Sequence, residues 1–149
     1  MSYVKDITGN HMLLCSFIGW LTAQIIKVFI VLIKEKEHSI RKVFLSSGGM
    51  PSSHSATVCA LCTSIARSEG MGSALFAIGA IFAFLVMYDA MGVRLAAGEQ
   101  AKVVNDLVKN LPEHKPLHMN KNLKEKIGHK PLEVVVGAIL GLAIALLVP

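Results

Sequence analysis

The sequence predicts an all-α protein, an integral membrane helical bundle of about four hydrophobic helices plus one amphipathic helix, in a single domain covering residues 1–149. Two observations about composition and one about pattern carry this expectation. Hydrophobic residues make up 53% of the chain and charged residues only 17%, against the ~25% charged residues of an ordinary soluble domain. Mean hydropathy is correspondingly high, at +0.56. The apolar residues are also segregated into runs at 12–33, 56–66, 73–93 and 132–148, separated by polar connections.

The first run predicts a helix over 12–33, interrupted by Gln24 and Lys27. A polar connection at 34–52 leads to a second, shorter helix over 53–67, rich in small residues and announced by Pro51-Ser52. Glu69-Gly70-Met71-Gly72 reads as a tight turn into a third helix over 73–94, which carries Asp89 near its end. The segment 96–111 has mixed, amphipathic helical character and stops at Pro112, and 113–122, with Pro116, reads as a loop. The last helix, 131–148, starts at a proline and has Glu133 in its first turn. The chain contains no internal repeat and no low-complexity tract.

Charge placement predicts a topology. Lys34, Lys36, Arg41 and Lys42 lie in the 34–52 connection, and Arg94, Lys102, Lys109, Lys115, Lys121, Lys124, Lys126 and Lys130 lie between the third and last hydrophobic helices. If all four helices cross, these connections share one side, and the positive-inside rule makes it cytoplasmic with both termini outside. No secretory signal is expected, because Lys5 and Asp6 lead into a span without a cleavage site. Cys15, Cys59 and Cys62 all sit in apolar runs, so the Cys59-x-x-Cys62 spacing reads as packing rather than redox or metal chemistry. The net charge of +5 fits basic loops, and no interleaving of basic and aromatic residues points to nucleic acid.

This topology gathers the unusual polar residues at one end. Pro51-Ser52-Ser53-His54 opens the second helix there, where unpaired N–H groups and the helix dipole favour an anion, although Ser-Ser before an apolar helix is also an ordinary N-cap. Lys27, with Gln24 one turn deeper on the same face, approaches from the first helix. Asp89 and Arg94 close the third helix, and His129 and Glu133 stand one turn apart at the start of the last. Singly, each has a structural reading: snorkelling for Lys27, a simple ion pair for Asp89 and Arg94, a dipole-favoured carboxylate for Glu133. Together they offer two imidazoles, two carboxylates, cations suited to phosphate oxygens, and the hydroxyls of Ser52 and Ser53. A carboxylate hydrogen-bonded to a histidine fixes its tautomer and raises its nucleophilicity, leaving the second histidine for proton donation. Zinc is the rival chemistry, but there is no H-E-x-x-H and the neighbouring cations oppose a divalent ion.

Three ordered segments carry a family resemblance: Gly-Gly-Met-Pro-Ser-Ser-His-Ser-Ala at 48–56, Val-Met-Tyr-Asp-Ala-Met-Gly-Val-Arg at 86–94, and Gly-His-Lys-Pro-Leu-Glu-Val at 128–134. They resemble the type 2 phosphatidic acid phosphatase and vanadium haloperoxidase superfamily, and more closely its divergent branch of small bacterial and plant membrane proteins. The resemblance covers nearly the whole chain. It implies a phosphohistidine intermediate at His129, oriented by Glu133 where the superfamily has aspartate, with His54 protonating the leaving group and Ser53 where glycine is usual. With the residues gathered at that end, the expected phosphate-binding set is Lys27, Arg41, Ser52, Ser53 and Arg94, with Gln24 and Asp89 in support, and the resemblance implies no metal or other cofactor. The superfamily's lysine shortly before an Arg-Pro pair has no direct counterpart, Lys27 and Arg41 being the nearest residues. The arginine expected ahead of the nucleophile is also absent, with Lys124 and Lys126 nearby and Arg94 able to supply that charge from the third helix.

Two functions follow as expectations. One is a phosphatase acting on a membrane lipid phosphate or related phosphoester from the cytoplasmic side of a bacterial plasma membrane. The other is a non-catalytic carrier or scaffold that binds phosphate or lipid headgroups in the same pocket.

Overall fold

The computed structural model describes residues 7–34, 48–110, 123–125 and 127–149. Their principal elements are five helices: α1 (His11–Lys34), α2 (Ser53–Glu69), α3 (Ala74–Met91), α4 (Val93–Lys109) and α5 (Pro131–Leu147). The fold is all-α with several apolar helices. Two stretches, His11–Ile33 and Ala74–Lys109, are long and apolar enough to cross a bilayer, whereas Pro131–Leu147 is a shorter apolar helix.

The innermost helix is α2, which packs against α1, α3 and α5. Its buried positions are small or short: Ser55, Ala56, Ala60 and Ser64 are all inaccessible. Neighbouring helices answer with glycine. A Cβ on Gly19 of α1 would lie 3.1 Å from both the Ala56 carbonyl oxygen and the Ala60 Cβ. On α5, a Cβ at Gly137 would strike the Ser52 carbonyl oxygen, and one at Gly141 the carbonyl oxygen of Ala56. Such close backbone approach through small residues is how helices gain packing energy where lipid removes the hydrophobic drive for association. The outer faces, by contrast, expose Phe17, Ile25 and Phe29 on α1, Ile78, Ile81 and Phe84 on α3, and Ile139 and Leu146 on α5. That is a surface made for lipid rather than water.

Each end of the bundle is closed by polar contacts. Ser52 caps α2, its hydroxyl accepting from the Ser55 N–H at 3.3 Å, and Gly70, at φ 81°, ends the helix. Ser73 caps α3 by accepting from the Phe76 N–H at 3.1 Å. Arg67, in the last turn of α2, donates to the carbonyls of Ala145 and Val148 and ties α2 to the end of α5. On the same end His11 meets the Ser64 hydroxyl at 3.1 Å. The cysteines are free thiols, and Cys59 Sγ lies 3.8 Å from Met87 Sδ between α2 and α3.

The continuous third helix expected over 73–94 is divided. It stops at Met91, Gly92 leaves helical geometry with φ −99° and ψ −86°, and α4 begins at Val93. Arg94 therefore belongs to the first turn of α4 rather than to the end of α3, and its Nε donates back across the break to Asp89 Oδ2 at 2.5 Å. Apolar periodicity runs unbroken through this point, so only the glycine marks the bend.

Candidate active site

Backbone hydrogen bonds assemble one end of the bundle. The Ser52 N–H donates to the Glu133 carbonyl at 3.0 Å, locking the start of α2 against the first turn of α5. Glu133 also accepts, through Oε2, from the Lys130 N–H at 3.2 Å, an N-terminal cap that complements Pro131 in the first helical position. The residues leading into α5 run back along α4. Asn105 holds both backbone groups of Leu123, donating to its carbonyl at 2.9 Å and accepting from its N–H at 2.9 Å. Farther along, Gly98 admits the Ile127 backbone, to which a Cβ would come within 2.8 Å. Gly128, at φ 90°, passes so close to Leu95 that no side chain fits. The His129 N–H then donates to the Ala90 carbonyl at 3.0 Å.

This framework places His129 inside the bundle with 1% of its surface exposed. Its Nδ1 lies 3.0 Å from Glu133 Oε2, so the ring donates from Nδ1 to the carboxylate and Nε2 carries the free lone pair. Nε2 is buried and makes no close hydrogen bond among the described residues, although the Gly49 backbone lies near enough to favour the protonated ring. The His54 ring stands edge-on to it, with centroids 6.1 Å apart. Burial holds the His129 ring below the ordinary histidine pKa, partly offset by the Glu133 carboxylate, which favours the protonated form.

Lys27 is equally buried, at 1% exposure, and its Nζ also lacks a hydrogen-bond partner among the described residues. Its stem runs beside Gly49, where a Cβ would lie 3.7 Å from Lys27 Cγ, and Gly49 has the left-handed φ of 97°. The charges of Glu133 and Lys27 act on one another, and that of Lys27 on both histidines. Gln24 is buried one turn away on α1. Asp89 and Arg94 are more open, with side chains 39% and 44% exposed, and their charges reach the half-buried His54. The cluster thus has a floor, Lys27 and the His129–Glu133 pair, and a mouth at Asp89 and Arg94.

The remaining residues singled out by sequence fall differently. Arg41 and Lys126 lie outside the described residues, and Lys124 is exposed. Ser52 is fully buried with both polar groups engaged, its N–H on Glu133 and its hydroxyl accepting from Ser55. Ser53 is buried, and its carbonyl accepts from the Thr57 hydroxyl at 2.7 Å. Among the described residues no group of three or more His, Cys, Asp and Glu side chains could hold a metal ion. Sequence reasoning missed Asn105 and Gly98. Their signal was a poor helix former and a glycine on the same stripe of a helix as Ala101, a pattern that marks a face reserved for backbone.

A buried histidine oriented by a carboxylate, beside a buried lysine and a second imidazole, is suited to attack on an anionic electrophile. The model of the divergent PAP2 family matches residues 8–144. The chain belongs to the divergent PAP2 family. It is also 43% identical over 151 residues, covering 95% of each chain, to a protein of Bacillus subtilis (strain 168) named "Uncharacterized membrane protein YuiD". No solved structure matches the chain. Family membership fits a phosphatase-type role, and the apolar exterior with its two spanning-length helices is that of an integral membrane protein.

Proposed function

We propose that this protein is a membrane-embedded phosphatase that hydrolyses a lipid phosphate or related phosphoester through a phosphohistidine. The observation that carries the proposal is the presence of two buried polar atoms, Lys27 Nζ and His129 Nε2, that make no close hydrogen bond among the described residues, on the floor of one cluster. Burying such groups without partners costs several kcal/mol, and an oxyanion ligand would satisfy both. Lys27, the first N–H groups of α2 and Arg94 bind the phosphate. Nε2 of His129 attacks phosphorus, Glu133 stabilises the developing imidazolium, and the bond to the leaving oxygen breaks as His54 protonates it. Water then attacks the phosphohistidine, giving its proton to His54, and the N–P bond breaks to release phosphate.

In this reading the apolar α1, α3 and α5, with the small-residue α2 enclosed among them, cross the membrane of a bacterial cell, the amphipathic α4 stays at its surface, and the cluster opens to the cytoplasm with both termini outside. The relative in Bacillus subtilis, named as a membrane protein, agrees with that setting. Cysteine accessibility at the two ends tests the orientation. For the chemistry, purified protein is assayed against polyprenyl and glycerolipid phosphates with and without vanadate. Vanadate-sensitive turnover is expected, and turnover surviving both His54→Ala and His129→Ala would sink the mechanism.

A carrier or scaffold that binds phosphate or lipid headgroups without hydrolysis is the second reading. The engagement of Arg94 by Asp89 favours it, because a guanidinium held by a carboxylate is less available to a transition state. Ligand-induced thermal stabilisation without turnover, lost in Arg94→Ala, distinguishes it.

A further inference from the structure

From the contacts between α4 and the segment entering α5, we infer that Asn105 is a positioning residue for His129. The inference rests on the reading of His129 as the nucleophile. Asn105 is far from the histidines in sequence and is not part of the cluster, yet it is 2% exposed and its amide is almost fully used. Oδ1 accepts from the Leu123 N–H at 2.9 Å, and Nδ2 donates to the Leu123 carbonyl at 2.9 Å and to Glu125 Oε1 at 2.8 Å. An asparagine is a weak helix former, so nothing in the helix itself asks for it. Its amide instead grips an irregular stretch of backbone as a neighbouring strand would.

Among the described residues that stretch has few other holds. From Leu123 it passes Gly98, whose missing side chain leaves room for the Glu125 and Ile127 carbonyls, and then Gly128 against Leu95. It ends where the His129 N–H reaches the Ala90 carbonyl at 3.0 Å. Asn105 fixes one end of this strap and Ala90 the other. Between them the glycines set its closeness to α4 without holding it along the helix. Slippage at Asn105 therefore moves the strap, and with it the His129 ring against Glu133 and Lys27. Small misplacements of a nucleophile are expensive even when the fold survives.

Asn105→Asp tests the idea because it keeps the shape and removes both donors, setting a carboxylate against Glu125 and the Leu123 carbonyl. In lipid nanodiscs, kcat for phosphomonoester hydrolysis is expected to fall about tenfold to a hundredfold with KM nearly unchanged. Diethyl pyrocarbonate gives a readout that needs no turnover. His129 is buried and protected in the native protein, and Asn105→Asp should accelerate its modification about tenfold while His54 modification stays constant, in line with a local opening. Adding Glu125→Gln returns one donor to position 105 and should restore part of both effects. His129 as protected as in the native protein, or both histidines becoming reactive together with a fall in thermal midpoint, would overturn the inference. If the native protein shows no turnover while Asn105→Asp still exposes His129 selectively, the positioning role stands and the phosphatase reading falls.

Discussion

The backbone N–H of Ser52 and the carbonyl of Glu133 meet at 3.0 Å, and this bond joins the helix that carries His54 to the helix that His129 immediately precedes. His54 follows Ser52 by two residues and His129 precedes Glu133 by four, so the registry of α2 on α5, together with the strap along α4 that leads into His129, sets the 6.1 Å between their rings. Geometry of the cluster is therefore inherited from helix packing, which makes the packing glycines functional residues at one remove.

Gly137→Ala is the direct test of that dependence. The added methyl would strike the Ser52 carbonyl oxygen and come within 3.1 Å of the Ser55 Cβ, so α5 must move away from α2 at the level of the cluster. Overpacking of this kind costs about 1–3 kcal/mol, read as a fall in thermal midpoint, and turnover should fall with it. Gly72→Ala is the control. A Cβ there meets nothing within 4 Å, and the midpoint should not change.

Much of this arrangement was legible in the sequence, and what escaped has a physical reason. The apolar runs mark the helices because lipid demands long uninterrupted apolar faces. The start of α2 at Ser53 and of α5 at Pro131 follow from local capping chemistry, which sequence states outright. The four-residue spacing of His129 and Glu133 permits the contact that the structure shows at 3.0 Å. The break at Gly92 was hidden, since a glycine inside an apolar run is as often tolerated as used. Asn105 was hidden for another reason: its partners, Leu123 and Glu125, come from a segment whose path along α4 no local pattern announces. The central burial of α2 likewise depends on glycines on two other helices.

Glu133→Gln separates orientation from charge. Glutamine can still accept from the Lys130 N–H, so the start of α5 survives, but it cannot stabilise an imidazolium. Turnover should fall about a hundredfold or more. The sign of the pH effect is also fixed. The nucleophile works unprotonated, and burial already holds His129 below the ordinary value of about 6.5, so the acid limb of kcat/KM lies below that pH in the native protein. The Glu133 carboxylate raises the His129 pKa, and its loss moves the acid limb lower still. A limb that moves to higher pH would exclude His129 as the titrating group.

Arg94→Gln should affect function far more than stability. Its ion pair with Asp89 is substantially exposed, at 44% and 39%, and pairs in that setting contribute about 0–1 kcal/mol. The thermal midpoint should hold, while affinity for an anionic substrate falls, seen as a raised KM at low ionic strength that converges on the native value as salt is added. A collapse in stability instead would mean that the pair holds the α3–α4 break together.

Lys27→Met should make the protein more stable and less able to bind. In the native protein a buried ammonium has no hydrogen-bond partner among the described residues, and an apolar side chain of similar length removes its desolvation penalty. Without ligand, the thermal midpoint should therefore stay the same or rise. With vanadate, native protein gains about 2.7 kcal/mol at a hundredfold excess over Kd, whereas the variant should gain almost nothing. The two measurements together discriminate between roles. If Lys27→Met unfolds the bundle, the lysine is structural through the Glu133 charge, and if the variant keeps its vanadate shift, the anion is bound elsewhere. Stability gained with binding lost is the outcome that follows from a lysine buried to meet a phosphate.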